Sequence, residues 1–229
     1  MAATRNRHGS TRRERRRARE RAIVATTRGL FDERGRRDAP VDDIAHAAGI
    51  NKAVIYRSFD SKEEIFVLAV ADYLAELEAR SAELSEPADP VAALRETVEL
   101  YVDFCLEYPA FLDCVLALMQ RPAAELREQV SGAVLFRLGR AIAATLGPLE
   151  RILATGAEGG FFAIDDPDFT ANRLYTQVLG SMHLARVGVG VREAAPGIAE
   201  TFELDPERVR EACVQDALGL ARIVDGASA

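Results

Sequence analysis

"AGINKAVIYRSFDSKEE", residues 48–64, is the stretch on which the reading of the whole chain turns. Gly49 permits the left-handed corner that a sharp turn between helices needs. Ser61 followed by Glu64 is a capping box, S-x-x-E, which opens a new helix. Between these two signals lies room for barely two helical turns, too short to be stable alone in water. Ile55 and Phe59, four residues apart, give this short helix one inward face. Its other face carries Asn51, Lys52, Ala53, Val54, Tyr56, Arg57 and Ser58. A helix held by its neighbours through one face, with two cations and an aromatic ring on the other, points to an anionic partner.

The surroundings supply the holding. Val41, Ile44, Ala45 and Ala48 mark one face of a preceding short helix, with Pro40 suited to its first turn. Two short helices joined at a glycine corner form a helix-turn-helix, in which the second helix is laid across the first. Upstream, Ala18, Ala22, Ile23, Thr26, Leu30 and Phe31 follow helical spacing from Arg12 to Glu33, and Gly35 stops that helix. Downstream, Ile65, Phe66, Leu68, Ala69, Tyr73, Leu74 and Leu77 continue the helix that the capping box opens.

The outward face suits the DNA major groove, which is about 12 Å wide. Lys52 and Arg57 can reach phosphate or the O6/N7 edge of guanine, and Tyr56 can donate its hydroxyl to phosphate. Ala53 and Val54 are small enough to let the helix sink and touch thymine methyls. Lys62 adds a cation beside a further phosphate. The arginine-rich start, with Arg12, Arg13 and Arg16, reads either as a solubilising tail or as an arm that adds phosphate or minor-groove contacts.

Charge is divided along the chain in the same sense. Residues 1–62 hold 16 Lys and Arg against 8 Asp and Glu, a net of +8. Residues 63–229 hold 13 against 28, a net of −15, and the total is −7. The basic part attracts polyanions, while the acidic part repels them. Three scattered cysteines with no CxxC or Cys/His cluster fit reduced, buried thiols in a cytoplasmic chain, and no metal site or cofactor is expected. No apolar run is long enough for a secretory signal or a membrane span.

The run from residue 19 to residue 66 resembles the DNA-binding domain of the tetracycline-repressor (TetR) family of bacterial regulators. The resemblance is carried by Leu30, Phe31, Gly35, Val41, Ile44, Ala45, Ala48, Gly49, Ile50, Lys52, Ile55, Tyr56, Phe59, Ser61, Lys62 and Glu63 at the family's spacing. Two positions depart from it. Pro40 stands where the family usually has Thr or Ser to cap the second helix and touch phosphate, and Ala53 stands where glycine is common.

The resemblance implies an all-α chain: an N-terminal three-helix helix-turn-helix domain joined by a long helix to a helical ligand-binding and dimerisation domain. It implies a homodimeric repressor on a palindromic operator in double-stranded DNA, with half-sites about 34 Å apart. A small-molecule effector in the C-terminal domain would move the fourth helix and lower operator affinity. The expected divisions are a flexible basic arm at 1–15, the helix-turn-helix domain at 16–62 and the ligand-binding and dimerisation domain at 63–229.

Beyond "SEPADP" (85–90), a helix-breaking linker, periodic segments cover 91–107, 110–120, 123–146, 149–158, 168–187 and 206–224. Pro and Gly punctuate them, Gly147-Pro148 included, and 188–205 is the longest non-helical candidate. Tyr101, Phe104, Phe111, Met119, Phe136, Phe161, Phe162 and Met182 fit either an apolar effector pocket or plain core, and His183 is the candidate polar contact. In the family the last two long helices pair across the dimer axis, which makes Leu174, Val178, Leu184, Val209, Val214, Leu218 and Leu220 interface candidates or ordinary intrachain packing.

Other function classes have less to stand on. Asp165, Asp166 and Asp168 with His183 could imitate an acid/base or metal cluster, but Pro167 puts the aspartates in a turn where a helix start explains them. An activator or an architectural DNA-binding protein without a ligand would share every feature above.

Overall fold

Three helices of this chain open on the same two residues, Asp-Pro. Asp89, Asp166 and Asp205 each sit at an N-cap and accept a backbone N–H, from Val91, Phe169 and Glu207 respectively. The proline that follows each one fills a first-turn position where its missing N–H costs nothing. The aspartate at 166 is thus a cap.

The computed structural model describes residues 3–84 and 89–222. Its helices are α1 (Ala3–Arg34), α2 (Val41–Ala47), α3 (Lys52–Tyr56), α4 (Lys62–Ala82), α5 (Pro90–Glu107), α6 (Pro109–Met119), α7 (Ala123–Gln129), α8 (Gly132–Glu158), α9 (Pro167–Val187) and α10 (Pro206–Ala221). An antiparallel hairpin, β1 (Val189–Ala195) with β2 (Ile198–Glu203), lies between α9 and α10. Among the described residues the fold is all-α apart from that hairpin. Residues 85–88 of the expected linker lie outside the described residues. No helix among the described residues is long and apolar enough to cross a membrane.

Backbone proximity groups the chain into two units. One comprises Met1–Tyr73 and Asp113–Arg140, the other Leu74–Leu112 and Ala141–Ala229. In the first unit the buried row of α1 is Ile23, Val24, Thr27 and Phe31, with the Thr27 hydroxyl donating to the Ile23 carbonyl at 2.9 Å. Ala18 and Ala22 are exposed and Thr26 half-buried, so the true stripe lies one residue round from the expected one. α1 also starts earlier than Arg12: the segment expected as a flexible arm is helical from Ala3, as a run of Arg and Glu, good helix formers, allows.

The capping box at the start of α4 is built as expected and reaches further than expected. The Ser61 hydroxyl accepts from the Glu64 N–H at 3.1 Å and donates to the Gln129 carbonyl at 2.8 Å. The buried Glu64 carboxylate accepts from the backbone N–H groups of Asp60 (2.9 Å) and Ser131 (3.0 Å). This clamp explains why 123–146 is not one helix. α7 ends at Gln129, Val130 is extended (φ −130°, ψ 131°), and Ser131 gives its N–H to Glu64. A contact 67 residues away in sequence leaves no trace in local periodicity. Conversely, α8 runs straight through the Gly147-Pro148 expected to break it. Pro148 forfeits one backbone bond, and Leu146, Leu149 and Leu153, all buried, hold the helix across it.

In the second unit α10 packs on α5 and α9. Leu94, Val98, Val102, Phe104, Leu174, Val178, Val214 and Leu218 form its core. The stretch 188–205, expected to be irregular, forms the hairpin. Gly188 (φ 70°) ends α9 in the left-handed region, and Phe202 lies on Gly190, where any side chain would meet its ring at 2.4 Å.

Candidate functional site

Helix α3 owes its orientation to two side chains beneath it. Ile55 and Phe59 are buried, as are Ile44 and Ala45 of α2 and Phe31 of α1, and α2 packs on both α1 and α3. Gly49 turns the corner at φ 64°, and Asn51 caps α3, its side-chain oxygen accepting from the Ala53 N–H at 2.8 Å. α2 has Pro40 at its N-cap and no side-chain cap bond. The capping group and the phosphate contact that Thr or Ser would bring are both missing there.

The face left over is the one the sequence marks. Asn51, Lys52, Ala53, Tyr56 and Arg57 are exposed, Tyr56 at 53%, while Val54 and Ser58 are half-buried. Ser58 uses its hydroxyl on the Val54 carbonyl (3.0 Å), so it serves the helix end first. Lys62 is exposed as the first residue of α4. Arg12 and Arg13 are exposed on α1, and Arg16, also exposed, pairs with Glu20 at 2.7 Å. Sequence reasoning missed one neighbour: Asp42 of α2 lies 2.9 Å from the Lys52 ammonium, and this hydrogen bond raises the lysine's pKa. An acid ten residues upstream is invisible as a partner until the turn folds α3 back over α2.

The second unit holds a cavity lined by α4, α5, α8 and α9. Its empty volume, counting open solvent at the mouth, is about 510 Å³. Tyr101 and Tyr175 form one wall, their rings 5.6 Å apart and tilted by 35°. Leu77, Val98, Leu146, Leu149, Leu174 and Val178 supply most of the rest. The Thr97 hydroxyl donates to the Ala93 carbonyl at 2.8 Å and that of Thr145 to the Ala141 carbonyl at 3.0 Å. The Tyr101 hydroxyl is buried with no hydrogen-bond partner. Burial, then the neighbouring Tyr175 and Cys105, pushes its pKa well up, yet neither neighbour meets it with hydrogen-bonding geometry. Burial likewise pushes the Tyr175 phenol up to about 12.

Of the expected pocket residues only Tyr101 lines this cavity. Phe104 and Phe111 are core, edge to face at 5.0 Å, and Phe111 stands edge-on to Tyr101 at 6.3 Å. Phe162 and Met182 are buried elsewhere. Phe161 packs on Gly159 at the end of α8, and His183 is exposed on α9. Met119 and Phe136 belong to the other unit and are exposed, at 49% and 68%. Among the interface candidates, Leu174 and Val178 face the cavity, and Val209, Val214 and Leu218 are buried in the chain. Leu184 alone of the marked α9 positions is exposed, at 47%. Among the described residues no three His, Cys, Asp or Glu cluster to hold a metal.

A helix-turn-helix with a cationic outer face is the arrangement by which helix-turn-helix proteins lay a recognition helix in the major groove. Residues 23–69 match the family described as bacterial regulatory proteins, tetR family. Over 94 residues the chain is 32% identical to the HTH-type transcriptional regulator EthR of Mycolicibacterium smegmatis, which is 40% of this chain and 43% of that one. The matching stretch thus spans less than half the length of that curated relative. Among solved structures, RolR in complex with the ligand resorcinol aligns over 92% of this chain and 91% of its own, with 15% identity and a TM-score of 0.66. A TetR-family regulator from Agrobacterium tumefaciens aligns over 90% and 99%, with 22% identity and a TM-score of 0.61. Residues 23–69 are therefore a DNA-binding domain of the tetR-family kind, and the solved structures show that the rest of the chain shares the fold of such regulators.

Proposed function

We propose that this protein is a homodimeric repressor that binds a palindromic operator through α3 and is released by a small molecule in the second-unit cavity. The observation that carries the reading is the outward face of α3: Lys52, Ala53, Tyr56 and Arg57 stay exposed because Ile55 and Phe59 take all the burial that so short a helix needs. Lys52, Arg57 and Lys62 supply charge to phosphates, Tyr56 a phenolic donor, and Ala53 and Val54 the close approach that base edges require. Asn51 and Ser58 shape the helix ends, with Asn51 keeping its amide N–H groups for a base or phosphate. Arg12, Arg13 and Arg16 extend the cationic surface along α1.

Dimerisation is assigned to a different row from the one periodicity marks. Along α9, Phe169, Arg173, Thr176, Gly180, Leu184 and Val187 are exposed at helical spacing. Ala212, Gln215 and Gly219 form a similar outward row on α10, two of them small. Exposed Phe, Leu and Val beside small residues on two adjacent helices suit self-complementary helix packing. The division of labour follows the sequence: 16–62 as DNA-binding head, 63–229 as effector-binding and dimerising part.

Retardation of a palindrome from the chain's own upstream region tests the reading. Lys52→Ala and Arg57→Ala should each weaken binding about tenfold or more. Binding unchanged in both variants would remove α3 as the DNA-reading element.

A further inference from the structure

Tyr101 Oη is the only buried side-chain nitrogen or oxygen among the described residues that lacks a hydrogen-bond partner. A buried phenol left so in apolar surroundings lowers stability, and such groups in folded proteins call for an explanation. Its surroundings narrow the explanation. None of the side chains lining the cavity is charged. The threonine hydroxyls there are committed to the helix carbonyls of Ala93 and Ala141. Apart from Ser81, the remaining wall is aliphatic, with the Tyr175 ring set beside Tyr101. A carboxylate, phosphate or ammonium entering this space would give up its hydration with no counter-charge to meet it. A hydrocarbon would leave the phenol unpaired. A neutral molecule with one suitably placed oxygen would satisfy it.

We propose that the cavity takes an uncharged, compact, largely apolar effector bearing a hydroxyl or carbonyl oxygen, and that the Tyr101 hydroxyl recognises that oxygen by donating to it. The inference rests on the effector-binding reading of the same cavity and adds the chemical class. Thr97 and Ser81 line both this cavity and an adjoining wider cleft whose rim carries Glu78, Glu96 and Arg151. Charged groups stand along that cleft, and the chamber beyond it has none. The raised pKa of Tyr101 keeps the phenol protonated, and therefore a donor, throughout the physiological range.

The test uses two probes of one carbon skeleton, cyclohexylmethanol and cyclohexanecarboxylate, titrated calorimetrically into the full chain and into Tyr101→Phe. The alcohol should bind wild type at least tenfold more tightly than the carboxylate, and Tyr101→Phe should weaken the alcohol about fivefold to tenfold. Ligand-free Tyr101→Phe should melt about 2–4 °C higher than wild type, because it no longer buries an unpaired hydroxyl. Equal or tighter binding of the carboxylate, unchanged alcohol affinity in Tyr101→Phe, or binding of neither probe to wild type would each overturn the proposal. Alcohol binding that depends on Tyr101 but leaves operator binding untouched would refute the effector reading instead, and leave the chemistry of the cavity standing.

Discussion

At the scale of single residues, Glu64 shows how a capping group becomes a tertiary fastener. Burial raises the pKa of this carboxyl, but the hydrogen bonds from Ser131 and Asp60 outweigh it and the net shift is downward. A pKa lowered in the folded state favours the carboxylate. Its stabilisation is therefore complete above the ordinary value near 4.5 and is lost as pH falls through the lowered folded value. Urea unfolding should show Glu64→Ala less stable by about 2–4 kcal/mol at pH 7. Across pH 5 to 3 the variant should lose stability less steeply than wild type, since it lacks the proton uptake. On the surface, Asp42 holds Lys52 in an exposed pair. Asp42→Asn would free the ammonium for phosphate and remove a negative charge beside α3. Operator affinity at low salt should rise, because Lys52 then meets phosphate without giving up a partner.

At the scale of elements, the helices end where tertiary contacts let them end. α7 and α8 are separated at Val130 because Ser131 is engaged by Glu64, and α8 continues over Pro148 because the leucines on either side are buried. The C-terminal turn of α8 depends on Gly156, whose hydrogen lies against the Phe162 ring. A Cβ there would come within 2.1 Å of it. Phe162 is 3% exposed and has nowhere to swing. Gly156→Ala should therefore cost about 1–3 kcal/mol by overpacking, read as a lowered thermal midpoint. Alanine's better helix propensity, worth about 1 kcal/mol at most, would not offset it.

At the scale of the whole molecule, the split of charge sets how DNA binding should respond to salt. In the proposed dimer Lys52, Arg57 and Lys62 of two heads would make about six phosphate contacts, so the logarithm of affinity should fall with the logarithm of salt at a slope of about −5. Sedimentation of Leu184→Glu, which puts a charge in the exposed row of α9, should show a shift from dimer to monomer with the helical content retained. Operator affinity should fall with it, because a monomer has one head for two half-sites. Dimer mass unchanged in this variant would send the interface elsewhere.

Much of the DNA-facing part was legible in the sequence, because it depends on local chemistry. A glycine corner, a capping box and two apolar residues four apart are read within 17 positions, and they already say which face of α3 is left outside. The resemblance of residues 19–66, the helical class and the helix start at Asp166-Pro167 follow from equally short signals. The cavity was legible only at Tyr101. Phe and Met are large apolar residues in a core and in a pocket alike, so composition placed Phe104 and Phe111 no better than Phe136. Periodicity marked the faces of α9 and α10 but could not say which face meets the chain's own helices: Leu174 and Val178 turned inward to the cavity, and the row beside them stayed exposed. What the sequence alone determined is what neighbours within one or two helical turns decide. What only tertiary structure decided, the Lys52–Asp42 pair, the Glu64–Ser131 clamp and the unpaired phenol of Tyr101, depends on groups that meet only when distant segments close on one another.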